Sequence, residues 1–230
     1  MNILQEKLEF LLDKYSVSTK AVLKDANTVV IDGVETPILS HRNERRFIEL
    51  KNIANNGTLD GISVFRIARI VESGKDIYNE LYREFDICQF VLQRKIARVT
   101  VMQNDNVLNA IATTDDGIVC TIEISATLSK GEIEKDKHEI IAKRGTACDV
   151  VVDAQLKQDS IYVFGKENKK FTDVDFELYG LSVKDIAIVR GAFSIAQNKT
   201  MGEMAEINAN LLKLVDLAKK SAKSGEREVL

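Results

Sequence analysis

Proline occurs once in this chain, at Pro37, and histidine twice, at His41 and His138. Cysteine occurs three times, at Cys88, Cys120 and Cys148, far apart in sequence. An odd, sparse set of cysteines argues against a disulfide framework and suits a reducing cytosol, so a cytoplasmic location is expected. No cysteine pair has metal-ligand spacing and the histidines are widely separated, so no metal site is expected. No apolar run approaches membrane-spanning length. The N-terminal MNILQEKLEFLL is interrupted by Gln5, Glu6, Lys7 and Glu9, which describes an amphipathic helix rather than a signal peptide. The formal net charge is −3 and both signs are mixed along the chain, which gives no reason to expect nucleic acid or a membrane surface as partner. There is no strand–GxGxxG–helix unit to hold a pyrophosphate, so no cofactor is expected from this chain alone. Repeats, low-complexity tracts and Ser/Pro-rich linkers are also missing.

What is present is enough apolar material for a core, 45% of 230 residues. Ile3, Leu4, Leu8, Leu11 and Leu12 recur at helical spacing, predicting a helix over residues 2–15. Val29 to Ile31, the pair Asp32-Gly33, and Val34 to Leu39 predict a hairpin, with Pro37 marking its second strand as an edge. Phe47, Leu50, Ile53 and Ala54 give a helix that stops at Asn55-Asn56-Gly57. A strand follows, with Phe65, Ile67 and Arg69 on one side and Ile62, Val64, Arg66 and Ala68 on the other. Residues 76–92 return to the helical period through Ile77, Leu81, Phe85, Cys88 and Leu92.

The middle third alternates with period two. Ile118, Cys120, Ile122, Ile124 and Ala126 face one way, and Val119, Thr121, Glu123, Ser125 and Thr127 the other, as in an antiparallel sheet with one covered and one open face. Further strands are expected at Val99 to Met102, Val107 to Thr114, His138 to Lys143, Val150 to Val152 and Ser160 to Phe164, with turns at Asp115-Asp116-Gly117, Gly145 and Gly165. His138 is expected in a strand or at its edge, partly exposed, and Cys88 and Cys120 as buried packing. Ser182 and Thr200, each with an acid three places on, read as helix starts. The second of these helices carries Ile207, Leu211, Leu214, Val215 and Ala218 on one face. Lys219, Lys220 and Lys223 complement its C-terminal end, and a short strand closes the chain at Arg227 to Leu230.

Helices and strands are segregated rather than alternating in βαβ units. The expected fold class is therefore α+β: a large, mostly antiparallel, open-faced sheet with helices packed on one face.

Several stretches, taken together and in order, resemble the C-terminal domain of the Gfo/Idh/MocA oxidoreductases. Arg45-Arg46-Phe47 through Asn56-Gly57-Thr58-Leu59 is similar to the family's entry helix and turn. Ser73-Gly74-Lys75 with Asn79, Arg83 and Asp86 resembles "GGG-x-x-x-D-x-x-x-H-x-x-D", continued by Asp86 to Leu92. Asp105-Asn106 to Ile111, Asp116-Gly117 and Ile122 to Ser125 resemble the next pair of strands. His138 to Gly145 resembles the strand and turn "I-x-G-x-x-G", and Ser221 to Val229 the closing "S-x-x-S-G-x-x-V". The match runs from about Arg45 to Leu230. It implies two parts: an N-terminal helix-plus-hairpin extension over residues 1–40, and a C-terminal-like α+β domain over 41–230. Only some forty residues precede the match, too few for the family's Rossmann domain.

The resemblance also marks a departure. The family's catalytic aspartate and histidine fall on Asn79 and Arg83. Asparagine does not ionise and a guanidinium keeps its proton, so neither acts as a general base near neutral pH. No catalytic residue is expected, and the chain leans away from being an enzyme. Asn79 and Arg83 lie one turn apart on one helical face. Two readings follow for them, a solvated surface, or a retained pocket in which Arg83, assisted by Arg66 and Lys75, binds an anion or sugar hydroxyls.

The expected function is a non-catalytic dehydrogenase-like domain protein. It would bind a sugar or nucleotide-sugar ligand, or assemble as a homodimer through the open sheet face at Thr100, Met102, Val119, Thr121, Ser125 and Thr127, or with a full-length homologue. The alternative is the substrate-binding subunit of a split NAD(P)-dependent sugar or polyol dehydrogenase with a Rossmann-containing partner.

Overall fold

The computed structural model describes residues 2–149, 160–163, 169–172 and 175–230. In chain order these form α1 (Asn2–Lys14), β1 (Ala21–Leu23), β2 (Thr28–Ile31), β3 (Val34–Pro37), a short 3-10 turn (Ser40–Asn43), α2 (Arg45–Asn55), β4 (Ile62–Glu72) and α3 (Ile77–Leu92). There follow β5 (Ile96–Asn104), β6 (Val107–Thr114), β7 (Val119–Leu128), β8 (Lys135–Ala142) and β9 (Gly145–Cys148). Last come β10 (Ser160–Val163), β11 (Lys169–Thr172), α4 (Val183–Asn198), α5 (Met201–Ser224) and β12 (Glu228–Val229). The expected strand at Val150 to Val152, and the expected positions of Phe164 and Gly165, lie outside the described residues. The fold class is α+β, with helices and an open sheet. No helix among the described residues is long and apolar enough to cross a membrane.

Contacts along the chain separate two units, one of Met1–Phe47 with Gln155–Ala209, the other of Ile48–Ala154 with Asn210–Leu230. The first holds the helix and hairpin of the expected extension. Leu4, Leu8, Leu11 and Leu12 bury one stripe of α1 in a core with Val29, Ile31, Ile188, Ala192 and Ile195. Each of the buried leucines contributes about 1.5–3 kcal/mol by leaving water. The β2–β3 turn is made by Asp32 (φ 49°) and Gly33 (φ 88°), the pair of positive φ angles that a two-residue hairpin turn requires. Pro37 ends β3, the outer strand of the order β1-β2-β3, where its missing N–H costs no ladder bond. Ser182 caps α4 by accepting from the Asp185 N–H at 3.2 Å, as its spacing predicted. Arg190 on α4 forks onto the Asp175 carboxylate at 2.8 and 2.9 Å and reaches Glu177 at 2.6 Å, tying the turn after residue 175 to the helix.

The second unit is built on a sheet of order β12-β5-β6-β7-β4-β8-β9. Its neighbours are antiparallel except β4 and β7, which run parallel from Val64↔Val119 onward. That exception follows from the connection. Between β4 and β7 the chain passes through α3 and then the β5–β6 hairpin, which returns β7 to β4 in the same direction. The alternation read from the sequence holds from Val119 onward, while Ile118 lies before the strand and is half-buried. Cys120, Ile122, Ile124 and Ala126 are buried, and so are Phe65 and Ile67. On α3, Ile77, Leu81, Phe85, Cys88 and Leu92 are buried as the helical period predicted. At the β5 edge, Ser221 on α5 is fully buried: its Oγ accepts from the Val101 N–H at 2.9 Å and donates to the Glu226 carbonyl at 2.5 Å. A strand-edge donor is thereby satisfied just beyond the short β12 pairing.

Candidate functional site

α3 turns most of one face into the core, and two of its buried residues, Glu84 and Asp86, are acidic. Glu84 lies between Leu81 and Cys88 at helical spacing and is fully buried. It survives there because it is paired. Arg83 Nη1 donates to Glu84 Oε1, and Arg69, on the inward side of β4, lies 3.7 Å from the same oxygen. Arg69 also donates to Glu80 at 2.5 Å, Asp136 at 3.4 Å and Glu134 at 3.3 Å. Arg83 Nη2 lies 3.5 Å from Asp136.

His138 is the centre of this arrangement. It was expected to be partly exposed; it is instead fully buried. The reason is its position in β8, which is flanked by β4 and β9, with the Phe65 ring 6.3 Å away and Glu84 against its inward edge. Its Nε2 is 2.9 Å from Glu84 Oε2 and its Nδ1 is 2.7 Å from Asp149 Oδ2. Ionised carboxylates only accept hydrogen bonds, so two ionised partners are both satisfied only by a ring that carries a proton on each nitrogen. Burial pushes its pKa down, but the Glu84 charge and the bonds to Asp149 and Glu84 raise it above the ordinary value. Burial pushes Glu84 up, and the Arg83, His138 and Arg69 charges hold it down at about 2.

Asp136, His138 and Asp149 each offer a metal-type donor atom, all within 4.8 Å of one another. The arrangement suits a proton better than an ion. Nδ1 and the Asp149 oxygen meet at hydrogen-bond length, and Asp136 faces the guanidiniums of Arg69 and Arg83.

Of the residues singled out in the sequence, Arg83 lies on this network, and Lys75 joins it through its ion pair with Glu134. Asn79 is exposed on α3. Arg66 is exposed on the opposite face of the sheet from Arg69, in register with Thr121 on one side and Glu139 on the other. The structure therefore brings Arg83 and Lys75 into one network and leaves Arg66 apart from them. Sequence reasoning missed Glu84, Arg69, Asp136, His138 and Asp149. Two signals pointed to them: the place of Glu84 on the stripe of Leu81 and Cys88, and the two-residue step from His138 to the core residue Ile140.

No family model and no curated protein matches this chain in sequence. Solved structures do match it in fold. The scyllo-inositol dehydrogenase of Lactobacillus casei, with bound NAD(H) and scyllo-inositol, is 11% identical with a TM-score of 0.60, over 83% of this chain and 63% of that one. The myo-inositol 2-dehydrogenase of Lactobacillus plantarum is 14% identical with a TM-score of 0.60, over 84% and 63%. A myo-inositol dehydrogenase from Corynebacterium glutamicum is 13% identical with a TM-score of 0.59, over 84% and 63%. The chain thus spans less than two thirds of the length of these proteins. At such identities the likeness is one of fold. The chain has the α+β fold found in inositol dehydrogenases, in agreement with the resemblance of its motifs to the Gfo/Idh/MocA C-terminal domain.

Proposed function

We propose that this chain is a dehydrogenase-like domain protein without catalysis of its own, which acts by assembling with a second copy through the open face of its large sheet. The observation that carries this reading is the apolar content of that face. Met102 is 77% exposed, Val107 and Ile111 each 47%, and Ile70 36%. They sit among Thr100, Thr121 and Ser125 in adjacent registers: Thr100↔Ile111↔Thr121, and Val107↔Ser125↔Ile70. Such a surface on long strands invites association, and closed two-fold dimers are the commonest solution. The non-catalytic part rests on Asn79 and Arg83 at the family's catalytic positions, with Arg83 engaged by Glu84 and Asp136. A sugar or nucleotide-sugar ligand would be met by Asn79, Arg83 and Lys75 on the α3 side.

Light scattering tests the assembly. The expected mass is twice 25.7 kDa, and Thr121→Lys with Ser125→Glu should halve it without unfolding the chain. A monomer at high micromolar concentration removes the assembly reading. A second reading, the substrate-binding subunit of a split NAD(P)-dependent dehydrogenase, draws support from the fold shared with the NAD(H)-bound L. casei enzyme. It requires co-purification of a Rossmann-containing polypeptide and turnover by the pair. The non-catalytic reading expects the purified chain neither to bind NAD or NADP at micromolar concentration by calorimetry nor to oxidise any polyol.

A further inference from the structure

The face of β5 that carries Val99 and Val101 into the core continues beyond it. Gln103, next on that face, is exposed at the end of the strand, between the first turn of α3 and the last turns of α5. There the Tyr78 hydroxyl donates to Gln103 Oε1 at 2.5 Å, and the Lys219 ammonium lies 5.2 Å from the centre of the Tyr78 ring. Tyr78 is itself fixed, since its N–H donates to the capping carboxylate of Asp76 at 2.8 Å. A groove of about 550 Å³ is left between these elements, lined wholly by residues of the second unit.

Lys219 and Lys223 share one face of α5, both exposed, with the small side chain of Ala222 between them. Across from them Asn104 and Asp105 form the turn between β5 and β6, where Asp105 has a φ of 42°. Among the described residues the side chains of Asn104, Asp105 and Lys223 have no hydrogen-bond or ion-pair partner.

We propose that this groove is a binding site for a polyhydroxylated anion, a sugar acid or sugar phosphate, and that it does not use Asn79, Arg83 or Lys75.

The chemistry divides across the groove. Two ammonium groups on neighbouring turns of α5 suit a carboxylate or a phosphate, each acting as a point charge. The opposite wall suits hydroxyls. The Asp105 carboxylate accepts from them, the Asn104 amide both donates and accepts, and Gln103, with its oxygen engaged by Tyr78, keeps its amide N–H groups to donate. Asp105 also sets the selectivity. Its charge opposes a bare anion and is compensated where hydroxyls bond to it, so an inorganic ion gains less than an anionic polyol.

The helix dipole accounts for lysines at the end of α5. It does not account for a lysine set over a ring that is in turn bound to the strand across the groove. Lys219, Tyr78 and Gln103 are positioned by one another before a ligand arrives, which lowers the ordering cost of binding.

The test is NMR of the full chain at low ionic strength, titrated with gluconate, glucose-6-phosphate, glucose and inorganic phosphate. Gluconate or glucose-6-phosphate should give saturable shifts at Tyr78, Gln103 to Asp105 and Lys219 to Lys223, with millimolar affinity. The tighter of the two identifies the anionic group as carboxylate or phosphate. Glucose and inorganic phosphate should each bind about tenfold more weakly, or not at all. Lys219→Gln with Lys223→Gln should weaken the tighter ligand by about tenfold and flatten its salt dependence. The unliganded spectrum away from α5 should stay as it is, which separates loss of the site from loss of the fold. Asp105→Asn should narrow the gap between the sugar ligand and inorganic phosphate. No saturable shift at these residues with either sugar ligand, equal affinity for inorganic phosphate, or shifts centred on Asn79 and Arg83 overturns the proposal.

Discussion

Gly191 in α4 lies against Ile38 so closely that a Cβ at residue 191 would stand 2.8 Å from Ile38 Cγ2 and 3.2 Å from the Asn43 side-chain nitrogen. A glycine in a helix interior costs about 1 kcal/mol relative to alanine. Here that cost accompanies the approach of the chain around Ile38 to Asn43 onto the helix.

Gly191→Ala is therefore expected to destabilise the protein despite its better helix propensity. Overpacking costs about 1–3 kcal/mol against a gain of about 1, so the net loss is about 1 kcal/mol. Ile38→Ala removes the obstructing methyl. In urea melts the double variant should be more stable than the sum of the single effects predicts. Additive effects would show that the contact at Gly191 does not limit the packing.

Glu84→Gln removes the carboxylate that meets Arg83 and His138 in the core, with Arg69 beyond. Breaking a buried ion pair on one side costs about 3–5 kcal/mol, since the remaining charges stay buried. The acid side of the stability profile should change with it. Glu84 has its pKa lowered from 4.5 to about 2, so its stabilisation is complete above 4.5 and is lost as pH falls toward 2. Urea midpoints measured from about pH 6 down to about pH 3 should fall less steeply in the variant than in the natural protein. An unchanged slope would mean that Glu84 does not carry this charge.

Thiol chemistry offers a check on the sheet core. Cys88 and Cys120 are buried and Cys148 is exposed. Burial, followed by the hydrogen bond with Cys120, pushes the Cys88 thiol well above its ordinary pKa, which suppresses the reactive thiolate. A disulfide reagent at neutral pH should modify Cys148 quickly in the native protein, and Cys88 and Cys120 only after denaturant is added. Fast modification of Cys88 in native buffer would contradict the packing of α3 on β7.

Local patterns in the sequence determined most of the elements. Helix α1 follows from the spacing of Leu4, Leu8, Leu11 and Leu12, the β2–β3 hairpin from Asp32-Gly33, and the two faces of β7 from strict alternation after Val119. Each depends on residues within one or two turns of one another, which a single sequence displays. β1, β9 and β11 were missed because three or four residues are too few to establish a period. Strand order is a different kind of information. The parallel pairing of β4 with β7 sets Val64 beside Val119, and no local pattern in either strand names the other as its neighbour.

The charge network belongs wholly to that second kind. Arg69, Glu84, His138 and Asp149 come from β4, α3, β8 and the end of β9, and only the folded sheet brings them within reach of one another. The sequence showed a histidine two residues from a core isoleucine and a glutamate on an apolar helical stripe. Whether such groups are buried and paired or left in water depends on what covers them. That is decided by tertiary packing, because the electrostatics of a buried ring are set by partners that the chain places far away in sequence and close in space.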